Sequence, residues 1–394
     1  MPGRTDPYCT DPGRTGTGGE TGGRPAEGRI PLSPPYRADI ASRIRRPRLA
    51  RSPSMVSLRR FTRLDGRVPR PQRRYVVRAA AAVAVVLGVL LWWLVPAGSS
   101  SPSGTVSFAT GVPTGVYARY GSLLKDRLHR ELPDVRVRLL PSQGSVQNLD
   151  MVTSGKASFT IAASDAVATY RDGKEPGSDR LRACARLYDD YIQLVVPAGS
   201  GVRSAKDLKG MRVGVGQERS GVNLIAGRLL KAAGLDVDKD VHAVRQGIDR
   251  MPDLLEKGKI DAFFWSGGLP TTAIENLSAR TNIQLVQLGD LVEKLHALQP
   301  ETRHYRAAVM PADAYPAVQQ GEPVNTVAVA NLLVTTDRTD TALTEGMTRA
   351  VLNSRDQIGE KVHAAQKVDR RTAIYTAPLP LHRGARHYYR SVKP

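Results

Sequence analysis

Cysteine is nearly absent: Cys9 and Cys184 are the only two in 394 residues. That excludes a disulfide framework and a cysteine-rich metal site. Lysine is missing from residues 1–78, which hold 18 Arg against only 6 acids. Of the formal net charge of +20, +12 therefore sits in that stretch and +8 in everything after it. The high isoelectric point belongs mostly to one segment and gives little reason to expect the rest to bind nucleic acid. No sustained triplet or heptad repeat occurs, so collagen-like and coiled-coil classes are excluded. Aromatic residues make up only 5%, but hydrophobic residues reach 41%, enough for a sizeable core after the basic stretch.

Residues 1–78 are rich in Arg, Gly, Pro and Ser and hold too little apolar surface to offset ordering entropy. A disordered basic tail is expected over 1–75. Ala79 to Val95 then runs seventeen residues without a charge, ending in Leu91-Trp92-Trp93-Leu94. The length is at the short limit for a spanning helix. Arg73, Arg74 and Arg78 before it and the Trp pair at its far end suit the two interfaces. A transmembrane signal-anchor is expected over 76–97, with the basic tail cytoplasmic and the rest extracytoplasmic. A secretory signal cleaved after Val95-Pro96-Ala97 is the other reading of the same segment. Residues 98–104 read as a Ser-rich linker.

From Thr105 the chain alternates β-type runs with helix-length segments. Thr105–Ala109, Val135–Leu140, Ala157–Ala163, Met211–Gly216 and Ile260–Trp265 read as strands. Helical spacing appears in Tyr120, Leu123, Leu124 and Leu128, and again in Leu224, Ile225, Leu229 and Leu230. Such alternation predicts mostly parallel sheets with helices on both faces. Tyr191–Pro197 and Thr326–Thr335 break the pattern and read as strands crossing between two lobes. Gly/Ser-rich loops at 111–115, 142–145, 164–165, 218–221 and 266–268 fall at the carboxyl ends of strands, where ligands bind in such sheets. Their unsatisfied N–H groups at helix N-termini favour an anionic ligand group.

Familiar catalytic patterns fail at named positions. Gly214-Val215-Gly216 lacks the third glycine of a dinucleotide fingerprint, Arg219 standing there. Gly216 and Gly221 have P-loop spacing, but Val222-Asn223 replaces the required Lys and Ser/Thr. Seven scattered histidines form no HExxH pair, and no G-x-S-x-G elbow occurs. A non-enzyme without metal, cofactor or nucleic-acid partner is expected.

Taken in order, several segments resemble one family. They are Thr110–Tyr120 (TGVPTGVYARY), Leu140–Asn148 (LPSQGSVQN), Phe159–Asp165 (FTIAASD), Leu181–Val196, Gly201–Gly221, Ile260–Pro270 (IDAFFWSGGLP), Val324–Val334 and Pro380–Tyr389 (PLHRGARHYY). The family is that of the TAXI-type solute-binding subunits of TRAP (tripartite ATP-independent periplasmic) transporters. Val112-Pro113 and Ala118 depart from its usual glycine-rich and aromatic positions. The resemblance implies a two-lobed α/β type II periplasmic-binding fold, lobe 1 being 105–196 with 324–394 and lobe 2 being 197–323. It implies capture of a small carboxylate, an amino acid or a dicarboxylate such as glutamate, for delivery to a TRAP-type membrane permease.

The candidate ligand residues follow the loops. Thr114, Gly115 and Tyr117 come from the first. Ser142, Gly144, Ser145 and Asn148 come from the second, and Ser164 and Asp165 from the third. Ser220 and Gly221, with Trp265, Ser266 and Gly267, come from the other lobe. Arg219 is a candidate carboxylate partner, because a guanidinium fork suits that geometry.

Overall fold

The computed structural model describes residues 73–94 and 102–392. Residues 1–72 of the expected basic tail over 1–75 and most of the expected linker fall outside them, and Arg73, Arg74 and Tyr75 are helical rather than disordered. Helix α1, Arg73–Leu94, covers most of the expected membrane segment. The spanning role is corrected. Among the described residues no helix is long and apolar enough to cross a membrane. Arg73, Arg74 and Arg78 lie within the helix itself. The uncharged remainder, 79–94, measures about 24 Å at 1.5 Å per residue, against a hydrocarbon core about 30 Å thick.

The strands are β1 Gly104–Ala109, β2 Val135–Leu140, β3 Phe159–Ala163, β4 Leu181–Pro197, β5 Arg212–Gly214, β6 His242–Val244, β7 Ala262–Gly267, β8 Ile283–Val286, β9 Tyr305–Met310 and β10 Val324–Thr336. They form one sheet in the order β2-β1-β3-β10-β4-β7-β5-β6, with β8 added on β4 and β9 on β10. Parallel strands β2-β1-β3 make one lobe. Parallel strands β7-β5-β6 make the other. The antiparallel pair β4 and β10 runs through both. At about 3.3 Å per residue, β4 is about 56 Å long, enough to cross two lobes without a break. The crossing expected of Tyr191–Pro197 and Thr326–Thr335 is observed, but β4 starts ten residues earlier. Arg182, Arg186 and Asp189 interrupt its apolar pattern, and in the structure these three sit on less buried positions.

Each lobe has its own core. In lobe 2 the helix over Gly221–Ala232 lays Ile225, Leu229 and Leu230 against Phe263 and Phe264 of β7. In lobe 1 the helix over Val116–Glu131 buries Tyr120, Leu124 and Leu128, four residues apart and so on one helical face. These pack with Phe108, Phe159, Met347 and Val351. The opposite face of that sheet is covered by Leu149, Val152 and Val167. The helices that bear on the site are α2 Val116–Glu131, α3 Ser145–Thr153, α4 Ser164–Asp172 and α5 Gly221–Ala232.

Candidate functional site

Helices α3 and α5 begin head to head across the gap between the lobes. Glycines permit the approach. A Cβ on Gly221 would stand 3.0 Å from Ser145 Oγ, and one on Gly144 would stand 3.3 Å from Ser220 Cα. Gly144 also has φ +130, a conformation that other residues rarely adopt. The Ser220 hydroxyl caps α5, accepting from the Asn223 N–H at 3.0 Å. Backbone bonds stitch the lobes together beside this point. The Gln147 N–H donates to the Arg219 carbonyl at 3.1 Å, and the Arg219 N–H donates to Gln143 Oε1 at 3.2 Å.

Behind the two N-termini lies a cavity of about 60 Å³, room for a few water-sized groups. Lobe 1 contributes Gly115, Val116, Tyr117, Gly144, Ser145 and Ala163. Lobe 2 contributes Gly216, Gln217, Ser220, Gly221, Ile248 and Met251, with Trp265 and Ser266 from β7. Asp190 of the crossing strand β4 lines it as well. Trp265 is held by its Nε1–H, which donates to Thr271 Oγ1 at 3.1 Å. The Tyr117 hydroxyl donates to Asn331 Oδ1 and lies 3.3 Å from Ser145 Oγ. Burial holds this phenol well above its ordinary pKa, with the carboxylate of Asp190 adding to the effect.

Asp190 is the charged group of the cavity. It is 3% exposed. Its Oδ2 accepts a long bond from the Ser266 hydroxyl at 3.4 Å, and its Oδ1 has no hydrogen-bond partner among the described residues. Burial pushes its pKa up to about 7, although the Asn331 amide and the Ser266 hydroxyl nearby pull it down. No Lys, Arg or His is among the described residues lining this cavity. With apolar walls and one carboxyl group, the site provides backbone and hydroxyl donors at one side and an acid at another.

The model of one protein family matches residues 108–392, covering both lobes. The chain belongs to the NMT1-like family. Among solved structures, it is similar to the periplasmic aliphatic sulphonate binding protein SsuA from Escherichia coli. That match has 12% identity and a TM-score of 0.41 over 75% of this chain and 80% of that one. It is also similar to PhnD1 from Prochlorococcus marinus in complex with methylphosphonate, at 13% identity, TM-score 0.44, over 67% of this chain and 90% of that one. An ancestral arginine-binding protein bound to arginine matches at 15% identity, TM-score 0.44, over 66% of this chain and 98% of that one.

In this NMT1-like chain the residues expected at the site divide into two groups. Gly115, Tyr117, Gly144, Ser145, Ser220, Gly221, Trp265 and Ser266 line the cavity. The others do not. Thr114 is exposed on a neighbouring groove. Asn148 is wholly buried, its Nδ2 donating to the carbonyls of Thr110 at 2.7 Å and Ile161 at 2.9 Å. The Ser142 hydroxyl donates to Asn148 Oδ1 at 2.6 Å. These two side chains fix the loop that presents Gly144, and have no polar group left for a ligand. Ser164 is buried behind the cavity wall at the start of α4. Gly267 lies behind Trp265, where a Cβ would come within 2.5 Å of the indole Nε1.

Two charged candidates lie away from the cavity. Arg219 points outward, half exposed, and pairs with Asp150 of α3. Asp165, 1% exposed, accepts from the Tyr305 hydroxyl at 2.6 Å and lies 3.4 Å from Arg228 Nη1. Both act across the lobes, Asp150 and Asp165 in lobe 1 against Arg219 and Arg228 in lobe 2. The sequence reading missed Asp190, Gln217 and Asn331. Asn331 was visible as the one amide inside TVAVANLLVT. Asp190 was visible through period two, because Ile192, Leu194 and Val196, which share its register, are all buried.

Proposed function

We propose that this protein is an extracytoplasmic solute-binding protein. Its two lobes close on a small organic acid, an amino acid or a dicarboxylate such as glutamate. A TAXI-type role follows: the loaded protein would hand its solute to a TRAP-type permease in the membrane. The observation that carries the reading is the cavity lined from both lobes, with the N-termini of α3 and α5 facing each other over it. Unpaired N–H groups and two helix dipoles favour a carboxylate there. A ligand touching both lobes stabilises the closed form by contacts that the open form cannot make.

Calorimetric titration of the full chain with glutamate, glutamine, succinate and 2-oxoglutarate is expected to give heat with at least one. Silence across the whole set would end the carboxylate-capture reading. The same titration should change Trp265 fluorescence, and Trp265→Phe should remove the change while leaving any signal from Trp92 and Trp93.

Gly221→Val tests closure itself. Position 221 opens a helix, so valine is tolerated locally, but its methyls would fill the 3.0 Å approach to Ser145 Oγ. Overpacking of this kind costs about 1–3 kcal/mol. Since only the closed form pays it, affinity is expected to fall about 10-fold or more. Unchanged affinity would mean that the observed head-to-head contact is not the binding form.

A further inference from the structure

Resting on the solute-capture reading, we propose that Asp190 is the specificity-determining contact and that the solute carries a protonated amine. The ammonium sits on the Asp190 carboxylate, and the carboxylate of the same molecule sits at the paired N-termini of α3 and α5. The site thus takes a small molecule with an ammonium group rather than a carboxylate or dicarboxylate without one.

The argument is one of unsatisfied groups. A buried carboxylate normally finds a cation or several donors. Asp190 has one long bond from Ser266, the Asn331 amide is its other polar neighbour, and its Oδ1 has no partner within hydrogen-bond distance among the described residues. Gln217 also lines the cavity, and its Oε1 is a second buried acceptor without a partner among them. Asp190, with only the Ser266 hydroxyl and the Asn331 amide beside it, lines a space bounded by no basic side chain. An ammonium group brings three donors and a positive charge on one small atom, which is what the surroundings of Asp190 lack. A second carboxylate placed there would face Asp190 with no counter-charge, a repulsion that a low-dielectric site strengthens. Ser145 and Gly221, also in the cavity wall, open α3 and α5 with backbone donors. A cavity of about 60 Å³ suits a small molecule.

The test uses matched pairs that differ only in the amino group, titrated into the full chain: L-alanine against propionate, L-aspartate against succinate, L-glutamate against glutarate. The amino acid of the tightest pair is expected to bind about 100-fold or more above its partner, because removing one side of a buried charge contact leaves the other uncompensated. Asp190→Asn is expected to weaken that amino acid by a similar factor and to bring the pair to within about 10-fold. Equal binding of both members of the pairs to the unaltered chain overturns this inference while leaving solute capture intact. So does amino-acid affinity unchanged in Asp190→Asn. Absence of heat from all six overturns the capture reading and the inference with it. The matched pairs need no variant, so the comparison stands whatever Asp190→Asn does to folding.

Discussion

Replacing Arg228 with Met is expected to lower the stability of the folded unit by about 3–5 kcal/mol, the range found when one partner of a buried ion pair is removed. Arg228 is 6% exposed and Asp165 1%. The guanidinium donates to the Tyr305 hydroxyl at 3.0 Å and to Thr169 Oγ1 at 2.8 Å, and lies against Asp165. Methionine fills much of the same volume but leaves the Asp165 carboxylate buried with only the Tyr305 hydroxyl to answer it. Its Oδ1 already lacks a partner among the described residues. Thermal unfolding should show a drop in Tm of roughly 10 °C. The double change Asp165→Asn with Arg228→Met is expected to recover most of that loss, because it removes the stranded charge as well as its partner. A single-variant loss below about 1 kcal/mol would show that the network is already hydrated or open in solution.

Asp190→Asn is expected to act in the other direction at neutral and alkaline pH. The carboxyl of Asp190 is raised to about 7 in the folded protein, against about 3.9 for an unperturbed Asp. Below pH 4 the group is protonated in both states and contributes nothing. Between about pH 4 and 7 the unfolded chain releases the proton and the folded one keeps it, so stability falls as pH rises. Above pH 7 the full penalty is present, roughly 4 kcal/mol at 1.36 kcal/mol per pKa step. Asp207 behaves oppositely: the backbone N–H groups of Arg203 and Ser204 hold its carboxyl low. Asp207 is the same in both proteins, however, and cancels in the difference. Urea unfolding of the two proteins without ligand, at pH 4 and at pH 8, should therefore give a difference that grows by roughly 4 kcal/mol in favour of the variant. Parallel pH profiles would show that the cavity solvates Asp190 well enough to leave it an ordinary carboxylate. The cost of this buried acid in the unliganded protein is the counterpart of the selectivity proposed for it, since a cationic group restores what burial removed.

Much of the scaffold could be read from local pattern. Val135–Leu140, with Val and Arg alternating, is a strand with the expected limits, Val135 buried and Arg136 exposed. The helix expected from the spacing of Leu224, Ile225, Leu229 and Leu230 is α5, Gly221–Ala232. The loops at 144–145 and 220–221 were legible because glycine and serine before an apolar run are signals carried within a few residues. The first half of β4 was harder to read: in LRACARLYDD the charges of Arg182, Arg186 and Asp189 fall on less buried positions and Asp190 on a buried one, and the pattern looked broken. The membrane-span expectation found no support among the described residues, where the arginines that were read as its flank are inside the helix.

The roles of the charged residues could not be read this way. Arg219 stands in a loop that looks like an anion cradle, yet its guanidinium turns to Asp150, 69 residues away in the chain. Asp165 sits at a helix start that looks like a ligand cap, yet its partners are Arg228 and Tyr305, 63 and 140 residues on. The sequence by itself determined the elements, the two-lobed α/β plan and which loops fall at the strand ends. Those depend on hydrophobic period and on capping, both local. Only the tertiary structure decided which acid faces the cavity and which acids tie the lobes together. Those assignments depend on what the opposite lobe brings within a few ångströms, and no short stretch of chain encodes that.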